Sequence, residues 1–177
     1  MKGELEKLLA TSEPPALGPG PRPGVQTVSA LQRELGKAFA RSNFSAERQQ
    51  LILALILLWH DHLDASHEIA QGIDNPDGAF IHGIMHRREP DYGNAKYWFR
   101  RVQQHGAFHQ IATRVSELCD AATAKRLVRN GDWDAFTFID CCQEADKDDA
   151  IVKQLRQVQR IETEALLDWF CQQGQIK

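Results

Sequence analysis

All seven histidines of this 177-residue sequence fall within one third of it, between His60 and His109. At a helical spacing of about 100° per residue, His60, Asp64 and His67 share one stripe, with Asp61 beside it. Imidazole nitrogens and carboxylate oxygens are both metal ligands and bases. The stripe therefore predicts a site for a metal ion or for proton transfer.

The next predicted helix repeats this pattern, because His82, His86 and Glu89 follow one another at i, i+4 and i+7. The short connection between the two segments predicts an antiparallel hairpin in which His67 and His82 lie at the same height. The two stripes would then face each other and supply roughly four to six ligands, enough for Zn, Fe or Mn with an open position. Water bound to such a metal would give hydrolytic chemistry without a further cofactor.

Two overlapping sets of residues are assigned to this pocket. The predicted metal ligands are His60, Asp64, His67, His82 and His86. The predicted catalytic acid and base groups are Asp61, His86 and Glu89. The alternative is that both stripes are solvated polar faces, as polar residues at this spacing usually are.

Residues 86–101 combine five Arg or Lys side chains with four aromatic ones, in a chain whose net charge is −3. Guanidinium groups match phosphate or carboxylate in bidentate geometry, so the segment predicts a small anionic molecule as substrate or ligand. The predicted substrate-binding residues are Arg87, Arg88, Tyr92, Lys96, Arg100 and Arg101. In the alternative, these arginines pair with acidic residues of the same chain and the aromatic side chains pack in the core.

A helical scaffold must position these residues, since nearly every segment from Thr27 onward has helical spacing. We expect one all-α, bundle-like domain of several helices over residues 27–177. Its centre would be a long helix from Ala46 to Gln71, whose first half is apolar on all sides and therefore enclosed by other helices. Residues 1–26 would form a flexible arm, with a short helix from Glu4 to Ala10 on a tether rich in proline and glycine.

Periodicity and capping residues predict the remaining helices, with Asp77 and Asn94 as two of the caps. They span Ser29–Ser42, Gly78–Arg88, Ala95–Gln104, Ala107–Asp120, Thr123–Arg129, Trp133–Ala145 and Asp148–Gln173, the last stopped by Gly174.

Composition narrows the function classes. The chain is 42% hydrophobic and 25% charged, as globular proteins are. The longest apolar run, Leu51 to Trp59, is too short to cross a bilayer, and the N-terminus lacks the basic start of a secretory signal. We expect a cytoplasmic protein with free thiols and no membrane partner. The net charge disfavours nucleic acid as a partner, and no motif indicates a nucleotide cofactor.

A rival function from another class is a non-enzymatic helical interaction or oligomerisation module. In that hypothesis the polar stripes are satisfied internally or exposed. The N-terminal helix on its tether would dock onto a partner or onto a second copy of the chain, giving a homo-oligomer.

Residues 86–102, HRREPDYGNAKYWFRRV, are similar to the signature of a bacterial and fungal protein family for which no activity is established. In that family the signature follows a segment similar to Asp64-Ala65-Ser66-His67, and the resemblance covers Trp59 to Val102. It implies relatives rather than a reaction. It favours Asp64, His67, His82 and His86 as the shared site residues.

The run Leu57-Leu58-Trp59-His60-Asp61 resembles the apolar segment that ends in His-Asp at the metal of HD-domain phosphohydrolases. That family also needs a histidine well upstream, and this sequence has none before His60. The resemblance implies metal-dependent phosphohydrolase chemistry at the level of class, with one ligand missing.

Overall fold

The computed structural model describes residues 1–145 and 148–172. The described residues form ten helices and one short antiparallel strand pair, so the predicted all-α class is confirmed. The helices are α1 (Lys2–Leu9), α2 (Val28–Phe39), α3 (Ala46–Trp59), α4 (Leu63–Ala70), α5 (Pro76–Arg88), α6 (Tyr92–Val102), α7 (Gly106–Leu118), α8 (Ala121–Leu127), α9 (Ala135–Glu144) and α10 (Asp149–Gln172). The strands are β1 (Val128–Arg129) and β2 (Asp132–Trp133). The predicted stop at Gly174 lies outside the described residues.

Short polar side chains start the helices that carry the candidate site. The Asn75 side chain accepts from the backbone N–H of Gly78 at the start of α5, and the Asp91 side chain accepts from that of Asn94 at the start of α6. Both helices therefore begin earlier than the sequence predicts. The expected caps, Asp77 and Asn94, lie inside the first turn of each helix.

The predicted long helix from Ala46 to Gln71 is wrong, because α3 ends at Trp59 and α4 begins at Leu63. The N–H of His62 bonds the carbonyl of Leu57, and the N–H of Asp61 bonds that of Leu58. These two bonds form a Schellman ending, which requires a left-handed residue after the cap, a place usually taken by glycine. Asp61 occupies that place with φ of 64°.

Two guanidinium groups compensate for the unusual backbone at Asp61. Its carboxylate, 1% exposed, accepts from Arg22 at 2.7 Å and from Arg88 at 2.6 Å. Arg88 also donates to the carbonyl of Leu58, one of the acceptors that close α3. The bend is therefore fixed by residues distant in sequence, and only the apolar first half of the predicted helix exists as α3.

The core surrounds α3 and α5. Every residue from Ala54 to Trp59 is buried, as the apolar run predicts, and α5 buries eleven of its thirteen residues. Gly83 is required on α5, because a Cβ at this position would lie 2.5 Å from the ring of Phe99 on α6. The close approach places α6 directly against the histidine-bearing face of α5.

Arg87 and Glu162 form a salt bridge in the interior, between α5 and α10. Both side chains are fully buried, and the two guanidinium nitrogens donate to the two carboxylate oxygens at 2.9 and 2.5 Å. The Arg87 guanidinium also lies 4.4 Å from the centre of the Phe138 ring on α9. Burial opposes the charge on Arg87, but the Glu162 carboxylate outweighs it and raises the pKa of Arg87.

The N-terminal segment, predicted to be a flexible arm, lies against the body in the structure. Leu5, Leu8 and Leu9 of α1 are buried in the core. Carbonyls of the proline-rich stretch accept hydrogen bonds from body side chains: Gln159 donates to Pro15 and Ala16, Arg156 to Pro14 and Pro15, and Arg88 to Gly18 and Pro19. An extended proline-rich strand leaves its carbonyls free, so it suits this kind of attachment.

No helix among the described residues is long and apolar enough to cross a membrane.

Replacing Glu162 with Ala tests the interior ion pair. The variant leaves the Arg87 guanidinium buried without its counter-charge, so we expect the free energy of unfolding to fall by about 3–5 kcal/mol. The matched control is Glu164→Ala on the same helix. Glu164 pairs with Arg160 at the surface, and its loss should cost less than about 0.5 kcal/mol.

Chemical denaturation measures both variants and the double variant Arg87→Met, Glu162→Leu. Removal of both charges should recover most of the lost stability. A cost of under about 1 kcal/mol for Glu162→Ala would contradict the importance given to this pair.

Candidate functional site

Three of the predicted site histidines meet between α4 and α5. The ring centre of His67 lies 5.1 Å from that of His82 and 5.8 Å from that of His86, and the last two are 6.2 Å apart. His82 and His86 lie one turn apart on α5, and His67 faces them from α4. The bend at Asp61 does not disturb this meeting, because it precedes α4.

The ring of His82 is fixed on two sides. Its Nδ1 lies 3.2 Å from the carbonyl of Gly78, and its plane stacks on the indole of Trp98 with 4.0 Å between ring centres. A carbonyl oxygen only accepts, so Nδ1 carries the proton and Nε2 holds a free lone pair. Nε2 is buried and has no hydrogen-bond partner among the described residues. A buried polar atom without a partner is rare and indicates a ligand, a water or a functional role.

Burial lowers the pKa of His82 to about 4, although the bond to Gly78 opposes the shift. The neighbouring His67, His86 and Arg101 lower it further. At neutral pH the ring is therefore uncharged, and Nε2 is available as a base or a metal ligand.

His86 is held by residues that flank the turn after α5. Asn94 Nδ2 donates to His86 Nε2 at 3.3 Å, and Glu89 Oε2 lies 3.2 Å from His86 Nδ1. The second approach is a charge contact, and within the described residues Nδ1 has no hydrogen-bond partner. Burial lowers the pKa of His86, while the charges of Glu89 and Asp91 oppose this shift.

Two predicted site residues are used elsewhere. Both ring nitrogens of His60 bond to backbone atoms, Nε2 to the carbonyl of Leu8 at 2.9 Å and Nδ1 to the N–H of Gln26 at 3.2 Å. Asp61 holds Arg22 and Arg88, as described above. The structure brings neither side chain to the histidine cluster, because the end of α3 turns both of them toward the N-terminal segment.

The residues predicted to bind the anion also lie in different environments. Arg87 and Arg88 are 1% exposed, and their guanidinium groups bind Glu162 and Asp61. Lys96 pairs with an acid of α9, Asp140.

Arg101 lies nearest the histidine cluster, 5.4 Å from the centre of the Trp98 ring, and also pairs with the exposed Asp74 at 2.6 Å. Arg100 is exposed and has no ion pair within residues 1–145 and 148–172. Tyr92 is half-buried and packs against the core. Asp64, on α4, is exposed.

The donor atoms do not converge on a single point. Within the described parts of the chain, no three His, Cys, Asp or Glu side chains are arranged to hold one metal ion as they stand. The cluster is thus a group of neighbouring imidazoles, one with an unused lone pair, rather than a formed coordination shell.

Sequence reasoning missed Asn94 and Trp98 as members of the site. The sequence predicts Asn94 only as a helix cap and does not assign Trp98 to the site, but their side chains contact His86 and His82. The available signal was spacing: both residues lie on the α6 face that packs on α5, one turn apart.

No protein-family model matches the chain, and no curated protein or solved structure is significantly similar to it. The resemblances to the HRREPDYGNAKYWFRRV signature and to the HD-domain phosphohydrolases therefore stay predictions.

The low pKa of His82 predicts an acid-sensitive contribution to stability. The ring is neutral when folded and titrates near pH 6.5 when unfolded, so its contribution is complete above about pH 6.5 and is lost as the pH falls toward about 4. We expect His82→Phe, which keeps the stack on Trp98, to lose less stability than the wild type between about pH 7 and about pH 4.5.

Urea denaturation across this range measures the difference, with His109→Gln at an exposed histidine as the control. Parallel pH profiles for the wild type and His82→Phe would contradict the burial of a neutral imidazole.

Proposed function

We propose that His67, His82 and His86 bind a divalent transition-metal ion, Zn, Fe or Mn, and that the protein is a metal-dependent hydrolase of small anionic molecules. The observation that carries this proposal is the buried Nε2 of His82, which has a lone pair and no hydrogen-bond partner in the described part of the chain. Two further imidazoles lie within 6.2 Å of that ring, measured between ring centres.

The way His82 is held supports a ligand role. Metal-binding histidines commonly donate their second ring N–H to a carbonyl or carboxylate, which fixes the ring and the tautomer. Gly78 supplies such a carbonyl on the same helix. A metal ligand must also be unprotonated, and the lowered pKa of His82 keeps Nε2 so throughout the neutral range.

Metal binding requires two rings to turn from their present orientations. The His67 ring is half-exposed and makes no side-chain hydrogen bond within the described residues, so its rotation breaks no hydrogen bond. His86 would exchange its contact with Asn94 for the metal, or use Nδ1 on the side of Glu89. Glu89 is exposed and close enough to orient His86 or to accept a proton from it.

A bound divalent ion would lower the pKa of a water molecule and polarise an anionic substrate. Side chains of this protein would hold the ligand in place and transfer the proton. His82 stays in place through Gly78 and Trp98, and Glu89 takes up or returns a proton at the half-exposed edge of the cluster.

The anion would bind at Arg101 and Arg100 rather than at the full set of basic residues. Arg101 lies over the ring of Trp98, the residue that stacks on His82. The ion-pair partner of Arg101, Asp74, is 89% exposed, so an anion can readily displace it. Arg87 and Arg88 bind protein groups in the interior, so they contribute by positioning α5.

A second candidate is acid–base chemistry without a metal. The specific observation for it is the short approach of Glu89 to His86 Nδ1, beside a neutral His82 with a free lone pair. A carboxylate that orients one imidazole beside a second, unprotonated one is a common arrangement for proton transfer.

The interaction module stays a prediction, but its expected docking element has a partner within the chain. The apolar side of α1 packs in the core, so docking onto another molecule would require this helix to leave its place.

Elemental analysis of untagged protein, purified without chelator, tests the metal proposal. We expect close to one equivalent of Zn, Fe or Mn in the wild type and in the control His109→Ala, whose histidine is exposed on α7. His67→Ala and His82→Ala should each lose most of the metal, because each removes one of three ligands.

Circular dichroism and thermal unfolding check that the variants are folded. An equal metal content in the wild type, His67→Ala and His82→Ala would contradict the assignment. Absence of metal from all of the proteins, even after addition of Zn²⁺, would leave the acid–base candidate.

A further inference from the structure

Every residue of the bend between α3 and α4 contacts the N-terminal segment. We call residues 59–62 the corner and residues 1–26 the arm. Trp59 Nε1 donates to the hydroxyl of Thr11 at 3.1 Å, and Asp61 accepts from both the backbone N–H and the guanidinium of Arg22. His60 and His62 contact backbone atoms of the arm. His60 and Asp61, predicted above as site residues, thus bind the arm together with Trp59 and His62.

His60 joins two separate parts of the arm. Its Nε2 bonds the carbonyl of Leu8 in α1, and its Nδ1 bonds the N–H of Gln26, just before α2. A carbonyl can only accept and an amide N–H can only donate. Only the neutral ring with its proton on Nε2 satisfies both partners, so the structure specifies the tautomer.

We propose that His60 is a pH-sensitive latch, which holds α1 and the Gln26 end of the arm on the body when neutral and releases them when protonated. A proton on Nδ1 would face the N–H of Gln26, so one hydrogen bond is replaced by two opposed donors. The ring is 1% exposed, which leaves no room for water to take up the new donor.

The charged and titratable groups around His60 favour the neutral form in sum. Burial lowers the pKa of His60, the bond to Leu8 opposes this, and the positive charge of Arg22 from the arm lowers the pKa further. Within the corner, His62 also lowers it and Asp61 raises it. Once the ring is exposed it titrates near pH 6.5, so acid favours the released state.

His62 provides an internal comparison. Its Nε2 lies 2.7 Å from the carbonyl of Gln26, and a ring nitrogen that donates to a carbonyl does so in both the neutral and the charged form. Two histidines of one corner thus bind the same arm residue, but only the His60 contact requires a neutral ring. The central part of the arm remains attached through Arg22, Arg88 and Gln159, so the release concerns α1 and Gln26.

Release would expose apolar surface. Leu5, Leu8 and Leu9 are each at most 7% exposed while α1 is in place. The latch depends on no metal and can be tested whatever the histidine cluster does.

Hydrogen exchange with mass spectrometry, on the full chain at about pH 7.5 and about pH 5.5, tests the latch. Exchange rates are corrected for the intrinsic effect of pH. We expect exchange in α1 and at Gln26 to rise up to about tenfold per unit below pH 6.5 in the wild type, since one proton is taken up. Exchange in α3 should stay unchanged.

The variants separate the two histidines. In His60→Gln, exchange in the arm should be equal at the two pH values, because glutamine takes up no proton in this range. In the control His62→Gln the acid response should persist. The proposal is overturned by unchanged arm exchange in the wild type, by a persisting response in His60→Gln, by its loss in His62→Gln, or by an equal rise in α3.

Discussion

Two adjacent guanidinium groups, Arg87 and Arg88, lie buried at the end of α5, and each must find a counter-charge in the interior. Neighbouring helical positions point in directions about 100° apart, so no single acid can serve both. Arg87 therefore binds Glu162 on α10, and Arg88 binds Asp61 at the bend after α3. Together they fix α5 relative to α10, the bend and the arm. A buried charge without its partner is costly, so these contacts leave α5 one orientation.

The orientation of α5 determines which helices its other side chains face. With both arginines directed inward, His82 and His86 face α4 and α6, where they meet His67, Asn94 and Trp98. Arg87 and Arg88 therefore position the imidazoles and are not part of the proposed anion site. The same bend that receives Arg88 also receives the arm, so the histidine cluster and the N-terminal attachment share one structural cause.

Local signals explain what the sequence could predict. The helical class, the buried α3 and the meeting of His67 with His82 follow from periodicity and from the short connection after α4. The break at His60 to His62 was not predictable in this way, because the left-handed position holds Asp61 where glycine is usual. Arg22 and Arg88, which bind the Asp61 carboxylate at this break, lie 39 and 27 residues from Asp61 in sequence. The role of Arg87 is equally hard to predict from local signals, because its ion-pair partner, Glu162, is 75 residues away in sequence.

The protonation state of the His82 ring nitrogens decides whether Nε2 is free to bind a metal or to act as a base. Nitrogen-15 NMR of histidine-labelled protein at neutral pH distinguishes protonated from unprotonated ring nitrogens. We expect a neutral His82 with its proton on Nδ1 and an unprotonated Nε2, whose signal moves when Zn²⁺ is added. A proton on Nε2, or a charged His82 ring at neutral pH, would contradict it.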